Sequence, residues 1–422
     1  MSVQVAIEDF DDAAYDPFTA AATIGGESGL DDIYPELARL RRRAPVQLLD
    51  IREHFGLHPD ITTEAMRKVA VLGYEAVSQA LADPQTFSNA VYTQNLGVSF
   101  GRSITTMDPP EHAKFRRAFQ AGFMKPMLAN WGETIVPRML NRLVDGFAAR
   151  GSAELVGAFT LHFPFHFIHE LMRLPLEDRL TFQKLAFAQI NVFFDRGHAY
   201  EAIEKLKSYL TKLVRFRRDH PVGDDDFVHA VANTTVDGEL LPEEVAIAFF
   251  RQLMNAGGDT SYHGFSSVLT GLLTHPDQLE AVRQDRSLVT RAIEEGLRWN
   301  CPVPVIQRMP TRVVELAGVE LRPGDRLDIV LAAANRDDSV YADPDAFDIA
   351  RPPRRHIAFG YGTHLCLGQH LARMEMGVAL NLLLDRLPGL RLDPDRPAPV
   401  IDGLSLRGPH QLHVLFEPTG AA

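Results

Sequence analysis

A chain of 422 residues, 45% hydrophobic and 23% charged, has ordinary globular composition and enough apolar material for a sizeable core. Its formal net charge of −12 excludes a general nucleic-acid binder and favours a soluble protein, leaving room only for a local basic face. The two cysteines, Cys301 and Cys366, are too few for a disulfide framework and fit a reducing, cytoplasmic setting.

Residues 1–30 read as a loosely structured lead. Early acids (Glu8, Asp9, Asp11, Asp12) stand where a secretory leader would carry basic and then apolar residues. Ile33 to Arg43 predicts a short helix with Leu37 and Leu40 apolar and Arg41, Arg42 and Arg43 at its C-terminal end, where the dipole favours cations. Val46 to Ile51 and Arg67 to Leu72 read as strands, and Tyr74 to Leu81 as a helix stopped by Asp83-Pro84. Thr86 to Ile104 is a long irregular connection, of a length at which loops tend to be functional. Asp108 is the expected N-cap of the next helix and Pro109 its first position. On that helix His112 and Arg116, four apart, share a face. They suit an anion, or else join Lys114 and Arg117 in a solvated basic face.

Thr134 to Ala149, Ala153 to Met172, Leu176 to Phe194 and Ala199 to His220 are helical by pattern, and Pro164 is expected to kink or split the second. That second segment is the most apolar of the chain, but His162, His166, His169 and Glu170 interrupt it, and no run reaches the ~18 apolar residues of a membrane span. Phe193-Phe194 fits either a pocket entrance or core. Pro242 to about Thr274 predicts a helix ~50 Å long. Within it, Ala256-Gly257-Gly258-Asp259-Thr260-Ser261 sets two glycines, each costing ~1 kcal/mol in a helix, before a polar pair. A local opening of the hydrogen-bond ladder is expected there; the other reading of the glycines is close approach of a second element. Pro276 to Gln284 and Ser287 to Trp299 form further helices. The latter carries Glu295 and Arg298, three apart, a spacing common in surface pairs. Cys301 to Ile306 is extended and apolar, and Val313 to Leu316, Val319 to Leu321 and Arg326 to Ala332 read as strands.

The clearest chemistry lies in Phe359-Gly360-Tyr361-Gly362-Thr363-His364-Leu365-Cys366-Leu367-Gly368. Directly after it, Gln369 to Leu387 reads as an amphipathic helix with Leu371, Met374, Val378, Leu382 and Leu383 on its apolar face. Cys366 is thereby set at a helix N-terminus, where unpaired N–H groups and the positive dipole end favour the thiolate, a strong ligand for iron. The glycines permit unusual backbone angles or the close approach of a flat object. Loop, thiolate and flat ligand together point to haem. The stretch resembles the haem-binding signature of the cytochrome P450 family, F-G-x-G-x-(H/R)-x-C-x-G, at every fixed position.

The resemblance runs from about Ile33 to Glu417. It implies a mainly α fold with small β-sheets, in which a long central helix crosses haem b, and a single haem-thiolate monooxygenase domain over 31–422 after the lead. Cys366 would be the proximal iron ligand, Phe359, Gly360 and Gly368 would frame the haem loop, and His112, Arg116, Arg308 and His364 would meet the propionates. The segment 256–261 matches (A/G)-G-x-(D/E)-T-(S/T), which implies that Thr260 holds a water and Asp259 relays protons from solvent. Glu295 and Arg298, joined by Arg351, would form a buried structural triad. Leu253, Ala256, Val303, Val305, Ile306 and Leu406 would make an apolar substrate pocket, with Asn255 either a polar contact in it or bonded within its own helix.

The implied reaction inserts one oxygen atom of O2 into a C–H bond of a small hydrophobic substrate. Electrons would come from a separate ferredoxin and its reductase, met by a patch of Lys114, Arg117, Arg354 and Arg355, unless these are only scattered solvated charges. A monomer is expected, with no nucleic-acid or membrane partner. Two other readings are a peroxide-driven haem-thiolate enzyme, whose kind commonly replaces the acid–alcohol pair kept here, and a non-enzymatic haem-thiolate ligand sensor, for which that pair would have no purpose.

Overall fold

The computed structural model describes residues 6–18, 29–58, 60, 62–193, 195–223 and 225–420. Phe194 and the side chain of Phe193 lie outside the described residues, so the entrance reading of that pair has no counterpart here.

Helix α1 (Tyr34–Arg43) buries Leu37 and Leu40 and leads into a five-stranded sheet. Its strands are β1 (Val46–Leu48), β2 (Lys68–Val71), β3 (Phe87–Ser88), β4 (Val305–Pro310) and β5 (Arg326–Val330), in the order β1-β2-β5-β4-β3. Only β2 and β5 run parallel; β5 pairs antiparallel with β4, setting Leu327 opposite Arg308 and Ile329 opposite Ile306. Alternate residues serve two apolar layers: Val69, Val71, Leu327 and Ile329 on one face, Ala70, Leu72 and Val330 on the other. β1 ends earlier than the sequence pattern predicts. Asp50 accepts from the N–H groups of Arg52 (3.0 Å) and Glu53 (3.3 Å), starting a helical turn over Ile51–His54.

After α2 (Tyr74–Ala82), the connection expected to be irregular holds β3, a 3₁₀ turn (Ala90–Gln94) and a short helix (Leu96–Phe100). α3 spans Glu111–Gln120 and starts later than expected. Asp108 does not cap it: its carboxylate accepts from Asn89 N (2.9 Å) and Ser88 Oγ, and so fastens the preceding loop. The segment 153–172 is divided into a strand (Ser152–Glu154), a π turn (Val156–Thr160) and α4 (Phe163–Leu171). Pro164 falls in the first turn of α4, where a missing N–H costs nothing.

α5 (Arg179–Gln189) and α6 (Arg196–Asp219) pack side by side. The lead is not loose over its described part. Residues 9–18 lie across these two helices, with Phe10 buried and the Tyr15 ring stacked on His198 at 3.7 Å.

α7 (Glu243–Thr274) is the spine of the molecule: 32 residues, ~48 Å long, and buried over most of its length and circumference. The expected opening of its ladder is absent, and the helix runs unbroken through Gly257 and Gly258. The glycines serve packing instead. A Cβ on Gly257 would sit 3.0 Å from Ile168 Cδ1, and one on Gly258 would run into the Phe165 ring, so both let α4 cross closely. α8 (Val289–Trp299) crosses α7 in the same manner, with Gly296 against Val268.

α9 (Gln369–Arg386) buries Leu371 and Leu383 as predicted. Met374, Val378 and Leu382 are only half-buried, while Glu375, Met376, Ala379, Leu380 and Leu384 face inward. The helix lies between α8 and the helix Ile135–Asp145, so its buried band is wider than one stripe. Among the described residues, no helix is long and apolar enough to cross a membrane.

Candidate active site

Four side chains distant in sequence converge beside the cysteine loop. α3 presents His112 and Arg116; the His112 ring lies 4.1 Å from that of His364, and Arg116 Nη2 donates to Leu365 O at 2.6 Å. Arg308, on β4, is 4% exposed and donates from Nη1 to Gln307 O at 2.7 Å. Neither arginine has a carboxylate within ion-pair distance among the described residues.

His112 Nδ1 and His364 Nε2 are buried without a hydrogen-bond partner. Burial, followed by the neighbouring Arg116, lowers the His112 pKa to about 4; burial, followed by His112 and Arg308, lowers that of His364 to about 2. Both rings are therefore neutral at physiological pH. The pocket offers one buried and one half-buried cation and two orphaned imidazole nitrogens, an environment that calls for anionic oxygens. The solvated-face reading of His112 and Arg116 does not hold, because His112 is 1% exposed.

The loop itself is set by backbone bonds from Gly360 N to Ile357 O and Cys366 N to Phe359 O, both 2.9 Å. Gly362 has φ +71°, and a Cβ there would run into Leu81 O at the end of α2, so glycine is required at this position. Cys366 is half-buried just ahead of α9. Burial pushes its thiol up, against the N–H of Gly368, the guanidinium groups of Arg116 and Arg373, and the N–H of Gln369. The N–H groups of Gly368 and Gln369 at the helix terminus act in the expected direction, toward the thiolate, and a bound cation would add to them against burial.

Sequence reasoning missed the groups behind this loop. Arg373 covers the Phe359 ring at 4.3 Å and pairs with Glu294 (2.6 and 2.9 Å), which also meets His356 Nε2 at 3.1 Å. In the sequence these look like single surface charges. The available signal was that Arg373 follows Cys366 by two helical turns.

Glu295 and Arg298 do not form a surface pair. They are 5% and 2% exposed and joined by two 2.7 Å bonds. Arg298 also donates to the carbonyls of Asn335, Pro344 and Ala346 at 2.8–3.1 Å, and Arg351 Nε reaches Glu295 Oε1 at 3.3 Å. The cluster nails the strand-to-loop approach, residues 335–351, onto α8.

On α7, Asp259 and Thr260 border a cavity of about 790 Å³. Ala256, Val303, Val305, Ile306 and Leu406 line it as well, while Leu253 does not. Leu253 shares a helical face with Gly257, turned toward Ile168 of α4, one step round from the face that carries Ala256 and Thr260. Thr260 Oγ1 donates to Ala256 O at 2.6 Å, leaving its lone pairs for the cavity.

Asp259 is 2% exposed. Burial raises its pKa to about 7, opposed by a hydrogen bond from Asn255, and its Oδ1 has no partner. Asn255 Nδ2 donates to Asp259 Oδ2 (3.0 Å) and Ala186 O (2.7 Å), and Asn255 Oδ1 accepts from Gln189 Nε2 (2.5 Å). Asn255 is therefore committed to this network, although it borders the cavity.

The chain matches the model of the family described as "Cytochrome P450" over residues 165–411. It is 33% identical to the steroid C26-monooxygenase of Mycolicibacterium smegmatis, across 83% of this chain and 88% of that protein. It belongs to the cytochrome P450 family. The P450 monooxygenase PikC of Streptomyces venezuelae is 32% identical across 90% of this chain and 91% of PikC. The structure of cytochrome P450 CYP109Q5 from Chondromyces apiculatus superposes with a TM-score of 0.82 at 28% identity, covering 93% of this chain and 97% of that one.

Cytochromes P450 are monooxygenases that bind haem b through a cysteine thiolate. The residues of this chain fit that group. A lone half-buried cysteine stands at the loop, and the orphaned nitrogens of His112 and His364 and the unpaired Arg116 and Arg308 match the two carboxylates of haem b.

Proposed function

We propose that this P450 hydroxylates a small hydrophobic substrate held in the cavity beside Asp259 and Thr260, with electrons delivered by a ferredoxin and its reductase. The observation that carries the reading is the pairing, at one wall of an apolar cavity, of a buried carboxyl group poised near pH 7 with a hydroxyl group whose lone pairs face the interior. The steroid C26-monooxygenases among the relatives support a hydrophobic substrate.

When bound, the haem activates dioxygen and inserts one oxygen atom into a C–H bond. The chain supplies position, protons and dryness. Cys366 would hold the iron, and His112, Arg116, Arg308 and His364 would hold the carboxylates. Phe359 would be a wall of the haem loop, stiffened by Arg373, with Gly360 and Gly368 giving the backbone its course. Thr260, its proton committed to Ala256 O, would accept a hydrogen bond from a water at the cavity wall. Asp259 would return protons to that water through its free Oδ1. Ala256, Val303, Val305, Ile306 and Leu406 would orient the substrate and exclude bulk water.

Arg117, Arg354 and Arg355 are exposed, whereas Lys114 is engaged with Asp237 at 2.5 Å. The three arginines support docking of an acidic ferredoxin. One haem-thiolate domain over 31–422, acting as a monomer in a reducing compartment, completes the reading.

Retention of the acid–alcohol pair favours the oxygen-dependent route over peroxide-driven turnover and over a sensor without chemistry. Thr260→Ala is the test. It should keep substrate affinity and NADH consumption with saturating redox partners, and give less product and more peroxide. Wild-type coupling with weakened affinity would make Thr260 a pocket residue only.

A further inference from the structure

The acidic N-terminal residues have no part in the reaction chemistry, yet they are fastened in place over α5 and α6, the first of which reaches the cavity through Phe187. Lys184 Nζ, on α5, meets Asp9 Oδ2 at 2.9 Å. Lys205 Nζ, on α6, meets Asp11 Oδ1 at 2.7 Å and Asp9 O at 2.5 Å, and Asp11 N donates to Glu201 at 2.7 Å. Both lysine stems lie flat on the protein, 19% and 14% exposed. Between these anchors Phe10 is buried and Tyr15 stacks on His198, which Asp195 holds at 2.8 Å.

The segment then delivers Phe18 to the cavity wall. The Phe18 ring meets Phe187 edge-on at 4.9 Å, and Phe187, itself a lining residue, meets Phe165 at 4.9 Å. Phe165 is the ring that packs on Gly258, next to Asp259. A continuous aromatic row thus runs from the N-terminal segment to the residues at the reacting end of the cavity.

We propose that residues 9–18 form a selectivity strap: Phe18 is a substrate-contacting wall residue, and Lys184 and Lys205 are the positioning residues that hold it in the wall. This rests on reading the cavity as the substrate site. The anchors are partly exposed ion pairs, individually weak and screened by salt, so the strap is fastened without being locked. Substrate size and shape are therefore read partly by residues far outside the haem-binding segments.

The test uses haem-loaded full-length protein and two probes that coordinate haem iron, imidazole and the triarylmethyl imidazole clotrimazole, followed by the shift of the Soret band. The variants are Phe18→Ala, Lys205→Glu and, as control, Lys207→Glu, whose side chain pairs, among the described residues, with Glu204 on the same helix at 4.0 Å. Haem content and Tm verify folding, and the double variant Asp9→Asn/Asp11→Asn replaces Lys205→Glu if that protein is unstable.

Loss of one aromatic wall contact should change the clotrimazole-to-imidazole affinity ratio by about threefold to tenfold. Lys205→Glu, which does not touch the cavity, should shift the ratio in the same direction as Phe18→Ala, and Lys207→Glu should leave it at wild type. A wild-type ratio in Phe18→Ala or Lys205→Glu, or shifts in opposite directions, overturns the strap. Absence of any Soret shift with imidazole in the wild type overturns the cavity reading itself.

Discussion

Asn255 Nδ2 donates to Asp259 Oδ2 at 3.0 Å, one turn later on the same helix. The direction of this bond is fixed by what surrounds it. The same Nδ2 donates to Ala186 O, which only accepts, so Asn255 Oδ1 must take the proton of Gln189 Nε2. Gln189 Oε1 in turn accepts from Arg251 Nε at 3.3 Å. One run of bonds thus leads from Arg251 Nε through Gln189 and Asn255 to Asp259, so Oδ2 is held as an acceptor and a proton on this carboxyl group resides on the free Oδ1.

The bond from Asn255 lowers the Asp259 pKa against burial, which raises it to about 7. Asn255→Leu should therefore move the pH inflection of coupled product formation upward. The titratable neighbours, Tyr262 on the next turn and Arg251 behind Gln189, stay charged or neutral as before. Product formed per NADH, measured across pH in both proteins, checks this. An unmoved inflection would separate the network from proton delivery.

The same carboxyl group makes stability depend on pH. Its folded pKa, about 7, lies above the ordinary 3.8, so the folded state keeps a proton that the unfolded chain releases between those values. Stability contributed by this group is full below that window and is lost as pH rises through it. Asp259→Asn removes the slope. It should match wild type near the bottom of the window and exceed it above neutrality by up to about 4 kcal/mol, as read by urea denaturation of the haem-loaded proteins.

Gly258→Ala should destabilise, although alanine is the better helix former by ~1 kcal/mol. The added methyl group meets the Phe165 ring, and overpacking of this kind costs about 1–3 kcal/mol. Phe165→Leu in the same chain should recover part of the loss, measured by Tm.

Glu295→Ala leaves Arg298 buried without its carboxylate, at a cost of about 3–5 kcal/mol. It should yield haem-poor protein with a lowered urea midpoint. Since Arg298 also holds three backbone carbonyls, Arg298→Ala should be at least as damaging.

The cysteine loop was legible from its own residues, whereas the roles of Asp259 and Thr260 and the buried set of Glu295, Arg298 and Arg351 were legible only through the family resemblance, since spacing alone made Glu295 and Arg298 a surface pair. What stayed hidden depended on partners remote in the chain. Gly257 and Gly258 could be read as an opening or as a crossing, and Ile168 and Phe165 decide for the crossing. Asn255 could face the substrate or its own helix, and Gln189 and Ala186 claim it. Leu253 was misplaced because neighbouring apolar positions on a mostly buried helix differ only in which element they meet. The N-terminal lead read as loosely structured because the partners of Asp9 and Asp11, Lys184 and Lys205, lie more than 170 residues away.

The central claim is that Cys366 holds the haem iron as a thiolate. The reduced carbon-monoxide difference spectrum tests it, comparing wild type, Cys366→Ser and Cys301→Ser. Cys301 is fully buried, donates to Val303 O at 3.1 Å, and has its pKa pushed up to about 12 by burial. The account predicts the long-wavelength Soret band of thiolate-ligated haem in wild type and Cys301→Ser, and its loss in Cys366→Ser. Persistence of that band in Cys366→Ser would contradict it.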